Sequence, residues 1–167
     1  MLSDALVKAL NEQINSEFAA SNRYLQMSAW CSYKGLPGCA AFMRKQAAEE
    51  MDHMRRLFGY VCETGALAVI GTIKAPGTSY KSVQEVFEQT YEHEREVTRR
   101  IFKLVEQALS EKDYSTFNFL QWYVAEQHEE ESLFKSILDK FKIIGTDNRG
   151  LFFIDREMLE LAKTSAG

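Results

Sequence analysis

Along most of this chain, apolar side chains recur in alternating steps of three and four residues. That is the period of a helix that buries one face. Four long stretches carry it: residues 3–33, 39–63, 82–110 and 115–142. Ser3 and Asp4 offer a cap at the first start, and Gly35, Pro37 and Gly38 interrupt the pattern at its end. Ser82, with Glu85 three residues later, reads as a capping box for the third stretch. Gly65 follows the second and Gly145 the fourth. A short fifth helix is predicted over 155–162, with Asp155 as its cap.

The links decide how these helices are arranged. Those joining the first to the second and the third to the fourth are short, so each pair is predicted to form an antiparallel hairpin. The link over 66–81 is long and contains Val69, Ile70, Gly71, Ile73 and Pro76. Each main helix should be about 40 Å long at 1.5 Å per residue. An extended chain reaches up to about 3.3 Å per residue, so this link could travel the whole bundle. A loosely structured surface loop of the same length would also fit. The predicted fold class is all-α: a four-helix bundle over about 3–142 with one long crossover, then a short C-terminal fifth helix. Residues 1–167 are read as a single domain.

The inward stripes are not purely apolar. The first reads Leu6, Leu10, Ile14, Glu17, Ser21, Tyr24; the second reads Met43, Ala47, Glu50, Met54, Leu57, Val61, with His53 alongside. The third reads Phe87, Thr90, Glu94, Val97, Ile101, Leu104; the fourth reads Leu120, Tyr123, Gln127, Glu130, Phe134, Ile137, Phe141. An acid interrupts all four. Glu17, Glu50, Glu94 and Gln127 each lie about 16–21 Å from the start of their helix at 1.5 Å per residue. Helices of matched length should therefore bring them into one layer, whichever way each helix runs.

A buried carboxylate is costly unless paired or coordinated. Four in one layer would repel one another and take up protons; divalent cations remove that conflict. Glu50 and His53 form Glu-x-x-His, whose i, i+3 spacing places both ligands on one helix face. Carboxylates with imidazole suit iron, manganese or zinc better than calcium, which prefers oxygen alone. Taken alone, Glu-x-x-His reads more readily as a solvated surface; the matching interruptions in the other three helices reverse that preference.

The neighbouring residues carry bland readings beside the functional ones. His93 and His128 lie beside the stripe and are read as surface or partly buried. Glu49, Glu126 and Glu129 lie on the flank, where they could form an adjoining metal site or merely face water. Tyr24 is read as a core tyrosine whose hydroxyl bonds a carboxylate, with a redox part in oxygen chemistry open to it. Trp30 and Trp122, and Met27, Met43, Met51 and Met54, are read as packing.

Composition narrows the context. Net charge is −4 with a sequence pI near 5.5, which argues against nucleic acid as a partner. Three cysteines with no C-x-x-C pair argue against a disulfide framework or a thiolate metal site. The polar, amphipathic N-terminus does not read as a secretory signal, and no apolar run approaches the roughly 18 residues of a membrane span. A cytoplasmic protein without a membrane partner is expected.

The stretches NEQINSEF, YLQMSAWCSY, AAEEMDHMRRLF, TYEHE and YSTFNFLQWYVAEQHEEESLFKSILDK, in this order and spacing, resemble the non-haem bacterial ferritins of the ferritin A type over nearly the whole chain. The resemblance implies that Glu17, Glu50 and His53 bind one iron, and that Glu50 bridges to a second held by Glu94 and Glu130. Gln127 would stand beside the second iron as outer ligand or hydrogen-bond partner. Glu49, Glu126 and Glu129, with Glu130, match an extra iron site, and Tyr24 matches a tyrosine near the centre. Bacterioferritins would show a second Glu-x-x-His where this chain has Gln127-x-x-Glu130. Although Met51 occupies the position comparable to their haem ligand, haem is not expected. The implied function is iron storage with ferroxidase activity: Fe(II) is oxidised to Fe(III) by oxygen or hydrogen peroxide and stored as ferric mineral inside a 24-subunit shell. A di-iron oxidase or peroxidase without storage, and a metal-free helical interaction protein, are the competing readings.

Overall fold

The chain's computed structural model describes residues 2–164, and five helices account for most of them: α1 (Asp4–Tyr33), α2 (Pro37–Glu63), α3 (Val83–Ser110), α4 (Tyr114–Ile144) and α5 (Asn148–Lys163). The caps are local. Ser3 Oγ accepts from Leu6 N at 3.1 Å, and Ser82 Oγ accepts from Glu85 N at 3.1 Å while the Glu85 carboxylate reaches back to Lys81 N. Gly145 ends α4 at φ 86°, a backbone angle that glycine adopts without strain.

Three helices depart from the bounds the periodicity predicts. The second helix starts at Pro37 rather than at residue 39, because proline is well tolerated at a first helical position whose N–H has no helical partner. The fourth starts at Tyr114, capped by Asp113, and runs on to Ile144. The fifth is twice as long as expected: Asp147, not Asp155, caps it by accepting from Gly150 N at 2.7 Å. The run Asp147-Asn148-Arg149-Gly150 looks like a loop by composition, which hid the cap.

Asp155 has a different task. Leu36, at the start of α2, offers no side-chain cap. The Asp155 carboxylate, from the middle of α5, accepts from Cys39 N at 2.8 Å and supplies that cap from another helix. The approach is close: a Cβ on Gly38 would overlap the Asp155 carbonyl oxygen. Glycine at 38 thus permits α5 to dock.

Paired residues rise in number on one helix as they fall on the next. Ser21 pairs with Ala47 across α1 and α2, while Ser16–Arg100 and Tyr24–Glu94 link α1 and α3. Gln46–Glu130, His53–Tyr123 and Tyr60–Thr116 link α2 and α4, and Phe87–Phe134 and Glu94–Gln127 link α3 and α4. Each neighbouring pair is antiparallel, so α2 and α3 run the same way. The link between them must therefore return along the length of the bundle.

That crossover is not a loose loop. Asn11 donates to Leu67 O and accepts from Val69 N, at 3.0 and 2.7 Å. Asn15 donates to Val69 O and accepts from Gly71 N, at 2.8 and 2.7 Å. Two amides one turn apart on α1 thus stand in for the backbone partners that the extended segment lacks.

The interior divides into two apolar clusters. One, beneath α5, is rich in rings and holds Trp30, Phe42, Phe87, Phe134 and Phe141, with Ile154 and Met158 from α5 itself. The other is mainly aliphatic and holds Leu6, Leu10, Ile14, Leu57, Val61, Ile101 and Leu120. Between them lies a layer of polar side chains.

Candidate metal centre

Glu17, Glu50, His53, Glu94, Gln127 and Glu130 are all 0–5% exposed. Each comes from the apolar face of its own helix, and the matched heights place them in the layer between the two clusters. Ligand atoms of Glu17, Glu50 and His53 lie within 4.8 Å of one another. His53 Nδ1 is 3.6 Å from Glu50 Oε1. Its ring is held against Trp122 at 5.4 Å, and its backbone carbonyl accepts from the Tyr123 hydroxyl at 2.7 Å.

Glu94 and Glu130 are turned toward neutral donors. The Tyr24 hydroxyl and Gln127 Nε2, the latter at 3.2 Å, donate to separate oxygens of Glu94. Gln46 Nε2 donates to Glu130 Oε2 at 3.0 Å. Tyr24 is fully buried, so its hydroxyl does bond a carboxylate of the layer.

The flanking acids behave differently from one another. Glu126 Oε1 approaches His53 Nε2 at 3.5 Å, whereas Glu49 is half-buried and paired with Lys45 at 3.5 Å. Glu129 is exposed. His93 is half-buried with its ring edge against Tyr24, and His128 is exposed. Two glutamines that the stripes leave out also belong to the layer. Gln13 and Gln46 are buried and hydrogen-bonded to its carboxylates, Gln13 to Glu17 at 2.7 Å. Their signal was present: each lies four residues before a stripe glutamate, on the same helix face.

Burial sets the electrostatics. It raises the Glu50 carboxyl well above the ordinary range, and the charge of Glu94 adds to this. Burial lifts Glu94 to about 7 against the hydrogen bonds from Tyr24 and Gln127, and lifts Glu130 to about 8 with help from Glu94 and Glu49. For His53, burial disfavours the charged ring, but the partners Glu126 and Glu50 outweigh it and push the imidazole to about 11. Too many acids are crowded into a dry space, and protons fill the charge deficit.

Among the described residues, Glu17 Oε2 and Glu50 Oε1 are buried without a hydrogen-bond partner. Orphaned carboxylate oxygens are rare in native interiors because each forfeits its solvation. Here two belong to the compact Glu17–Glu50–His53 group. Such a donor set fits a divalent transition metal.

Comparison with known proteins follows the same line. Residues 7–144 match the family model described as a ferritin-like domain. The chain is 59% identical over 162 residues to a probable bacterial non-heme ferritin-like protein of Haemophilus influenzae, covering 97% of this chain and 98% of that one. It is 52% identical over 161 residues to a bacterial non-heme ferritin of Escherichia coli, covering 96% and 98%. Among solved structures, an open pore ferritin from the archaeon Archaeoglobus fulgidus superposes with a TM-score of 0.94 at 41% identity, over 99% of this chain and 100% of that chain. A Chlorobium tepidum ferritin superposes with a TM-score of 0.86 at 52% identity, over 94% and 96%.

Proposed function

The chain belongs to the ferritin family, and from that premise we propose that it is an iron-storage subunit that oxidises Fe(II) to Fe(III) in the carboxylate layer. The observation that carries this reading is the Glu17–Glu50–His53 group, with its ligand atoms within 4.8 Å and two buried carboxylate oxygens lacking partners.

Iron is the substrate here. Glu17, Glu50 and His53 hold one Fe(II); Glu50 also reaches the second, which Glu94 and Glu130 hold. Each iron gives up one electron, and the pair reduces oxygen to peroxide or hydrogen peroxide to water. The chain's contribution is electrostatic and positional. Carboxylates gain more from Fe(III) than from Fe(II), so the layer favours the oxidised ion. The apolar clusters on either side keep the layer dry, which strengthens each charge interaction. Protons held on Glu50, Glu94 and Glu130 leave as the cations arrive. The Tyr24 hydroxyl donates to Glu94 and orients it. Gln127 stands beside the second iron as the hydrogen-bond partner of Glu94. Glu49, Glu126 and Glu129, with Glu130, form a third site through which iron moves onward.

One bundle of 167 residues encloses no space for a mineral. Storage therefore requires assembly, and a hollow 24-subunit shell is the form proposed. No helix among the described residues is long and apolar enough to cross a membrane. We place the protein in the cytoplasm, without membrane or nucleic-acid partners.

Anaerobic Fe(II) titration of the assembled protein should saturate at two or three tight irons per chain; absence of tight binding removes the metal reading altogether. Glu17→Ala and His53→Ala should each slow the fast oxidation phase by at least the roughly 10–100-fold that loss of a mere outer partner costs. Particle size should stay unchanged. Wild-type rates in both variants would refute the ligand roles.

A further inference from the structure

Three carboxylates of the central layer share a feature: each has one oxygen tied to a side-chain amide. Gln13 Nε2 donates to Glu17 Oε1 at 2.7 Å, Gln46 Nε2 to Glu130 Oε2 at 3.0 Å, and Gln127 Nε2 to Glu94 Oε2 at 3.2 Å. Glu50 differs. Its Oε1 has no hydrogen-bond partner, and His53 Nδ1 approaches it only to 3.6 Å.

Gln13 and Gln46 are 3% and 0% exposed. A buried amide is costly unless its groups are paired, and Gln46 is only half paired, because its Oε1 has no partner. Methionine or leucine would fill the same space without that cost. Packing therefore does not explain the residue, whereas the bond from its nitrogen to Glu130 does.

Two properties of the amide matter here. It fixes a carboxylate without bringing a positive charge that would repel a cation. It also takes one carboxylate oxygen and leaves the other. On Glu17 the oxygen left over, Oε2, is buried and unpartnered. On Glu130 the oxygen not engaged by Gln46 is Oε1.

We propose that Gln13 and Gln46 are positioning residues for the two outer carboxylates, each committing its glutamate to offer the metal a single defined oxygen: Oε2 of Glu17 and Oε1 of Glu130. This rests on the metal-binding role proposed above for the layer. Glu17 and Glu130 then grip their ions through one atom each, while Glu50, free of any amide, is left to span the pair. Outer partners that orient a ligand are typically worth about 10–100-fold in metal affinity.

The test is anaerobic titration of the assembled, metal-stripped protein with Co(II), whose visible absorption reports its coordination. Gln13→Met and Gln46→Met keep the length of the side chain and remove the N–H donor; Gln46→His restores a donor. The wild type should take up two tight Co(II) per chain. Each methionine variant should weaken one of the two by about 10–100-fold, alter the absorption band, and retain full helical circular dichroism. Gln46→His should recover most of the loss. If the wild type binds no Co(II) tightly, the layer is not a metal site and both readings fall. If it binds two, and the methionine variants match it in affinity and spectrum, the positioning roles are overturned while the site stands. Weakening at both sites with reduced helicity, or failure of Gln46→His to recover affinity, would also overturn them, assigning the glutamines to packing.

Discussion

The central layer and the clusters on either side of it are equally buried, yet they are built on opposite terms. In the cluster beneath α5, the Phe42, Phe87, Phe134 and Phe141 rings pack at centroid distances of 5.5–6.4 Å, an arrangement in which burial itself stabilises the fold. In the layer, burial opposes the charged forms of Glu50, Glu94 and Glu130 and forces them toward protonation. The apolar ends therefore carry the cost of a middle in which buried acids repel one another. Burial alone does not separate core from site; the balance of donors, acceptors and charge does.

Phe87→Ala would test the apolar side of this contrast. Phe87 is fully buried against three other rings, so the substitution should cost about 3–5 kcal/mol. The loss should be the same with and without metal when read by thermal unfolding. A loss confined to the metal-loaded protein would merge the two regions that the comparison separates.

pH should act most strongly on the layer, where burial moves several carboxyls in the same direction. The folded-state values of Glu94 and Glu130, about 7 and about 8, lie above the ordinary 4.5 of a glutamate. Between these limits the folded chain binds more protons than the unfolded one, so stability is full below about 4.5 and is lost as pH rises through 7–8. The raised His53 pushes in the same direction. For Glu94 the effect is on the order of 3 kcal/mol, since each tenfold change in proton affinity is worth about 1.4 kcal/mol. The metal-free protein should accordingly melt at a lower temperature at pH 8.5 than at pH 5.5. Zn(II) or Fe(II) needs ionised carboxylates, so the metal-dependent gain should instead grow with pH. A flat profile in the stripped protein would show that the acids are not strained.

The smallest expected effect belongs to Asp155→Ala. Losing the cap on α2 should cost about 1 kcal/mol. It should speed hydrogen exchange at Cys39, in the first turn of α2, and leave metal affinity unchanged, since the lost bond lies at the ring-rich end. A weakened metal site would mean that the two regions are coupled through α2.

Much of this was readable residue by residue. Helical periodicity assigns Glu17, Glu50, Glu94, Gln127 and Glu130 to inward faces, and the matched distance of Glu17, Glu50, Glu94 and Gln127 from their helix starts places these four at one height. Both properties follow from 3.6 residues per turn and 1.5 Å per residue, which hold whatever the helix packs against. The long link over 66–81 allowed a crossover without requiring one, and the interhelix pairings, which make α2 and α3 run the same way, decided it.

What the tertiary structure decided was which atom meets which. Asp155 reads as a helix start by local rule, but α5 begins earlier, and its carboxylate is claimed by Cys39 across the fold. Gln46 reads as an ordinary polar residue, yet only the approach of α2 to α4 brings its nitrogen to Glu130. The sequence by itself determined the helices, their buried faces and the acid layer, since these depend on local geometry. The bonds from Gln46 to Glu130 and from Gln127 to Glu94 depend on separations between helices, and those are set only when side chains far apart in the chain have packed.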